Sequence, residues 1–153
     1  MKCLFFGGSS EIAQKLAKNI SEVDCVSRKK KKIYKKFFRI QNYQNKYLKK
    51  IFDKIHTQYD NVVIFNGHYE SSFLTNYSNK EFDLSFSKNF KIPLQIAVNV
   101  INNKILNING SVFFISSFAA ETDEIGNAYY SLAKNSLNLA AKILGKEQKD
   151  RKV

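Results

Sequence analysis

Ser117, Tyr130 and Lys134 are the residues whose types and spacing can move a proton. Tyr130 and Lys134 stand four positions apart in Ala128-Tyr-Tyr-Ser-Leu-Ala-Lys134, and Ser117 precedes Tyr130 by thirteen. Positions i and i+4 share one face of a helix, so a phenol and an amine can work there as a pair. An unperturbed phenol titrates near pH ~10, and a neighbouring ammonium favours its phenolate. Such a pair can give a proton to, or take one from, a carbonyl/alcohol oxygen. The Ser117 hydroxyl, at the end of the apolar run Ser111-Val-Phe-Phe-Ile, can hold the same oxygen. Ser116 is a poorer choice, because alternate positions of a strand point to opposite faces. Tyr129 misses the i+4 spacing to Lys134.

The elements that position these groups follow from hydrophobic periodicity. Lys2–Phe6, Val23–Ser27, Phe37–Ile40, Asn61–Phe65 and Ser111–Ile115 read as five short strands. Glu11–Ile20, Gln44–His56 and Asn127–Leu144 read as helices, and Ser9 or Ser10 is the expected N-cap of the first. His68–Ser78 reads as a loop or short irregular helix. Asn79–Leu106 reads as a long helical region in which Pro93 marks a kink or a boundary. Gly145–Val153 reads as a polar, mostly charged tail. Strand alternates with helix, and the strand runs look buried on both faces. The expected fold is α/β, a Rossmann-like doubly wound parallel sheet of about five strands with helices on both sides. It forms one domain spanning residues 1–153, without internal repeats.

Gly7-Gly-Ser-Ser-Glu-Ile-Ala13 lies between the first strand and the first helix. A parallel open sheet binds a dinucleotide at this turn, with the pyrophosphate over the helix N-terminus. Gly7 lets the backbone approach closely, Ser9 and Ser10 add hydroxyls, and Glu11 and Ile12 open the helix. Glu11 and Ala13 stand where further glycines would complete the fingerprint. Ser27-Arg28 ends the second strand. An acidic residue there would bond a ribose 2′-hydroxyl, whereas an arginine accommodates a 2′-phosphate. The expected cofactor is therefore NADP(H) in preference to NAD(H).

Composition sets the outer limits. The chain has 153 residues, 44% of them hydrophobic, and a net charge of +12. No apolar run approaches the ~20 residues of a membrane span, and the N-terminus has too short an apolar stretch for a signal peptide. Cytoplasm is the expected location. Cys3 and Cys25 read as reduced core residues, and no metal site is expected. Arg28–Lys36 holds seven basic residues in nine. A nucleic-acid interface would need charge of this kind, but no nucleic-acid motif accompanies it. The run reads as a solvated segment, with Arg28 and Lys29 free to face a phosphate.

These pieces together resemble the short-chain dehydrogenase/reductase family, over essentially the whole chain. Gly7–Ala13 is similar to its Thr-Gly-x-x-x-Gly-x-Gly turn, with Phe6 in the threonine place. Phe65-Asn66-Gly67-His68 is similar to its Asn-Asn-Ala-Gly segment. Asn89, Ser117, Tyr130 and Lys134 match its catalytic tetrad. The resemblance implies hydride transfer between a nicotinamide and the carbon of a small carbonyl or alcohol. It implies that Tyr130 protonates the oxygen, Lys134 binds the nicotinamide ribose, Ser117 orients the substrate and Asn89 holds a proton-relaying water. It implies that Asn66 and Gly67 border the cofactor, and that Asn42 (or Gln41) meets the adenine. His68 stands in place of a glycine, as a tolerated loop change or as a group touching the nicotinamide or the substrate. Two copies would associate through the helices carrying Asn89 and Tyr130.

The resemblance also implies two further strands and a Pro-Gly substrate loop, yet Pro93 is the only proline. Without them the fifth strand would be an open apolar edge. The expectation is a cofactor-competent fold with weak or absent turnover as an isolated chain. A fragment, one part of a split protein and a natural short variant all remain open. The alternative reading is a non-catalytic nucleotide-binding or interaction module.

Overall fold

The computed structural model describes residues 1–149. Five parallel strands form one sheet in the order β3-β2-β1-β4-β5. They are β1 (Lys2–Phe6), β2 (Glu22–Ser27), β3 (Phe37–Arg39), β4 (Tyr59–Ile64) and β5 (Leu106–Phe114). The helices are α1 (Glu11–Ala17), α2 (Asn45–Phe52), α3 (Asn79–Phe86), α4 (Ile92–Asn102) and α5 (Ala128–Glu147). The sheet order reverses on either side of β1, which places the Gly7 turn at the switch point where such sheets bind ligands.

The two-residue period of β1 builds both halves of the core. Leu4 and Phe6 enter one cluster with Leu48, Ile51 and Phe52 of α2 and Ile96, Ala97 and Val100 of α4. Cys3 and Phe5 enter the other with Ala13 and Ala17 of α1, Cys25 and Tyr34. Helices thus cover both faces, as the apolar strand runs require. Burial pushes the Cys25 thiol up to about 11, so it stays protonated and packs as a small hydrophobe. Asp24 is buried in β2 and accepts hydrogen bonds from the Tyr59 hydroxyl (2.8 Å) and the Lys36 amide (3.0 Å).

Asn79–Leu106 is not one helical region. A π-turn, Ser87–Lys91, joins α3 to α4, and the Ile92 amide donates to the Ser87 carbonyl five residues back. Pro93 follows at the second position of α4. Its nitrogen donates no bond, so the ladder changes register ahead of it. Leu106 opens β5 rather than closing a helix, after left-handed Lys104 turns the chain. Strand β5 therefore begins well before Ser111, and α5 continues to Glu147, past Leu144. Helices α1 and α2 are shorter than their hydrophobic periodicity suggests. His68–Ser78 is a loop with one short 3-10 turn, Leu74–Asn76. Among the described residues, no helix is long and apolar enough to cross a membrane. The end of the charged tail, 150–153, lies outside the described residues.

Candidate functional site

A cleft of about 1030 Å³ opens at the carboxyl ends of the strands. It lies at the upper end of the ~300–1,000 Å³ common for ligand pockets. Gly7, Ser9, Ser10, Arg28, Asn42, Asn66 and Gly67 all line it. Seven of the residues picked from sequence as cofactor contacts, drawn from four separate loops, thus meet in one cavity.

The floor is shaped for close approach. Gly7 has φ +76°, and a Cβ there would lie 3.2 Å from the Asn66 backbone nitrogen. Only glycine takes this conformation readily. The Ser10 hydroxyl caps α1 by accepting the Ala13 amide at 3.2 Å. Asn66 Oδ1 is buried without a hydrogen-bond partner among the described residues. A buried acceptor left unpaired is costly, so this atom is suited to a donor on a bound molecule. Arg28, Lys88 and Lys91 bring positive charge to the walls, and among the described residues no Asp or Glu lines the cleft. This donor set, cradle and charge fit a dinucleotide carrying phosphates.

Five expected contacts, Ser27, Glu11, Ile12, Tyr130 and Lys134, are not among the residues that line the cleft. Ser27 is buried, and its hydroxyl donates to the Lys29 carbonyl at 2.7 Å, closing the turn after β2. Glu11 and Ile12 are exposed at the start of α1 and do not line the cleft.

None of Asn89, Ser117, Tyr130 and Lys134 lines the cleft itself; Gly67, which does, packs beside two of them. A Cβ on Gly67 would lie 3.2 Å from Asn89 Oδ1 and 3.4 Å from Lys134 Nζ. Lys134 is buried and donates to the Ile115 carbonyl at 2.7 Å. Desolvation pushes its amine down to about 8. Its Nζ stands 5.7 Å from the centre of the Tyr130 ring. Tyr130 is half-buried, with the Tyr69 ring edge-on at 5.3 Å. Tyr129 points the other way: its hydroxyl accepts the Ser78 amide at 2.9 Å, and its ring packs on Tyr77 and Phe82. Ser117 precedes a 3-10 turn, Phe118–Ala120, and its hydroxyl accepts the Ala119 amide at 3.3 Å. Ser116 bonds Asn138 instead, at 2.6 Å.

Asn89 sits fully buried in the π-turn. Its Oδ1 accepts the His68 amide at 2.8 Å, and its Nδ2 donates to the His68 carbonyl at 2.7 Å. The side chain therefore clamps the main chain at the cleft's edge. His68 itself lines the cleft and is half-exposed, with Nε2 3.3 Å from Glu70.

Sequence reasoning missed Tyr43, Lys88, Lys91 and Gln95, all of which line the cleft. The Tyr43 hydroxyl accepts the Gly7 amide at 3.1 Å and donates to the Val26 carbonyl at 3.2 Å. Burial pushes its phenol up to about 12, so it stays protonated. The only available signal was its place beside Asn42, just past β3.

No protein-family model and no curated protein matches the sequence. Solved structures do match in fold. A short chain dehydrogenase family protein from Francisella tularensis subsp. tularensis SCHU S4 superposes with a TM-score of 0.85 at 15% identity, over 97% of this chain and 64% of its own. A short-chain dehydrogenase/reductase from Vibrio parahaemolyticus does so at 0.80 and 13%, over 97% and 78%. A 4-hydroxyisoleucine dehydrogenase, solved with NADH and succinate, gives 0.79 and 16%, over 98% and 74%. This chain thus spans 64% to 78% of the length of these structures. With all five strands parallel and the glycine turn at the switch point, the chain has the fold of the short-chain dehydrogenase/reductases.

Proposed function

We propose that this chain binds a nicotinamide dinucleotide, NADP(H) in preference to NAD(H), and acts as an oxidoreductase on a small carbonyl or alcohol. The observation that carries this reading is the one cleft that collects Gly7, Ser9, Ser10, Arg28, Asn42, Asn66 and Gly67, the last of which packs beside Asn89 and Lys134. Arg28, Lys88 and Lys91 on its walls support the phosphorylated cofactor, since a 2′-phosphate adds close to two negative charges.

Bound there, the nicotinamide supplies hydride-transfer chemistry. The chain's own groups handle the oxygen. Tyr130 gives the proton to a carbonyl oxygen during reduction and takes it back during oxidation. Lys134 provides a cation beside the Tyr130 ring and a donor for the nicotinamide ribose. Ser117 donates a hydrogen bond that orients the reacting oxygen. Asn89 acts one step back, fixing the His68 main chain at the mouth. On the outer face of α5, exposed Leu132, Leu139 and Ile143 support pairing of two copies, which sedimentation across a concentration series tests.

Titration calorimetry with NADPH and NADH, run beside carbonyl-dependent NADPH oxidation, tests the main reading. Tighter binding of NADPH is expected, and Tyr130→Phe is expected to abolish turnover while sparing affinity. Absence of binding to either cofactor rejects the reading. Binding with no turnover on any carbonyl selects the alternative, a non-catalytic nucleotide-binding module.

A further inference from the structure

Two tyrosines grip the Gly7-Gly8 turn from opposite sides. From one side the Tyr43 hydroxyl accepts the Gly7 amide at 3.1 Å and donates to Val26 in β2. From the other, the Tyr34 hydroxyl donates to the Gly8 carbonyl. Tyr34 is almost fully buried, with its ring edge-on to Phe5 at 6.3 Å. It nevertheless belongs to the most basic stretch of the chain, Arg28–Lys36.

Gly8 is shaped by this contact. A Cβ there would lie 2.6 Å from Cys25 Sγ and 2.9 Å from the Tyr34 hydroxyl. No side chain fits while Tyr34 is docked. Cys25 Sγ and the docked Tyr34 hydroxyl together fill the space a side chain would need.

The basic stretch has its other ties at its two ends. At its start the Ser27 hydroxyl holds the Lys29 carbonyl at 2.7 Å. At its end Lys35 donates to the Val23 carbonyl and Lys36 accepts from the Cys25 amide, both at 2.9 Å, the Lys36 amide donates to Asp24 at 3.0 Å and Lys35 Nζ lies 3.2 Å from Glu22. Between these anchors Lys32 and Ile33 form a turn, and among the described residues the side chains of Lys30, Lys31 and Lys32 show no hydrogen bond. Tyr34 is the point at which this cationic arc is fastened to the cofactor turn. The arc begins with Arg28, which lines the cleft.

We infer that Tyr34 is a positioning residue for cofactor selectivity: its bond to Gly8 holds the Arg28–Lys32 arc against the glycine turn, where its charge favours the 2′-phosphorylated dinucleotide. Tyr43 supports the same turn without touching the arc, and so serves both cofactors alike. The inference rests on the dinucleotide reading proposed above.

Titration calorimetry on the full chain compares NADPH and NADH for the wild type, Tyr34→Phe and Tyr43→Phe. Losing one hydrogen-bonded anchor is expected to weaken NADPH binding to Tyr34→Phe about 5- to 10-fold, with NADH changed less than about 2-fold. Tyr43→Phe is expected to weaken both by the same factor. A second readout needs no cofactor. The arc is a run of trypsin sites, and Tyr34→Phe should be cut there faster than the wild type, by more than its loss of global stability in a thermal melt accounts for. An unchanged NADPH-to-NADH ratio in Tyr34→Phe overturns the selectivity role, and unchanged tryptic cutting overturns the tie itself. A wild type that binds neither cofactor defeats the dinucleotide reading and the selectivity role with it, while the tryptic comparison still decides whether Tyr34 fastens the arc.

Discussion

Lys134 brings an amine into a buried site that offers it one carbonyl and, among the described residues, no ion pair. Burial alone lowers its pKa to about 8 from the ordinary 10.5. As pH falls, the unfolded chain takes up this proton first, near 10.5, and the folded chain only near 8. Stability is therefore lost between those two values and stays lost at pH 7. Lys134→Met should accordingly raise stability at pH 7 by about 1–2 kcal/mol, after allowing for the donor lost to the Ile115 carbonyl. At pH 10.5 the gain should vanish, and NADPH affinity should fall at every pH. Urea unfolding at the two pH values checks this; a variant less stable than the wild type at pH 7 contradicts it. The Tyr130–Lys134 pair was legible in sequence because i, i+4 spacing is local. Tyr43 was not, because its bond to Gly7 joins residues 36 apart. The resemblance marked Asn89, but no local pattern says that its amide holds His68.

Between residue and fold, the π-turn at Ser87–Lys91 turns Asn89 inward, where it meets both polar groups of the His68 main chain. Asn89→Ala leaves that amide and carbonyl unpaired, at a cost of about 1–3 kcal/mol. Amide exchange should accelerate first at His68, and unchanged exchange there argues against the clamp. A second element-scale expectation concerns the turn after β1. Gly8→Ala forces a methyl into the space of Cys25 Sγ and Tyr34, so overpacking should cost about 1–3 kcal/mol. Thermal melts of Gly8→Ala and the double variant Gly8→Ala/Tyr34→Phe separate the causes, because removing the hydroxyl should return part of the loss. Strand and helix order was readable from periodicity. The break in Asn79–Leu106 was less so, since Pro93 signalled a boundary without saying that a π-turn precedes it. The early start of β5 was hidden too. Asn107, Asn109 and Gly110 interrupt its alternation, and Tyr59 of β4 pairs Leu106 across a shift in register.

Across the whole molecule, charge is distributed unevenly. Arg28, Lys88 and Lys91 line the cleft, while Glu121, Asp123 and Glu124 lie exposed in the loop leading to the α5 residues Tyr130 and Lys134. The cleft is thus lined by basic residues only, among the described charged residues, which the composition alone could not reveal. A positive cleft draws a polyanion in, and added salt screens that attraction over a Debye length of about 8 Å at physiological ionic strength. NADPH carries the extra phosphate, so its affinity should fall more steeply than that of NADH as salt rises. Between 50 and 500 mM salt, NADPH is expected to lose roughly 10-fold and NADH roughly 3-fold. Arg28→Ala should bring the two slopes together. Parallel slopes in the wild type would mean that the basic walls do not meet the 2′-phosphate. Duplex DNA provides the control for charge without a site. It should bind weakly and without sequence preference, and release as salt rises, because only phosphate neutralisation holds it. Tight DNA binding that survives 200 mM salt would instead assign the basic arc to nucleic acid.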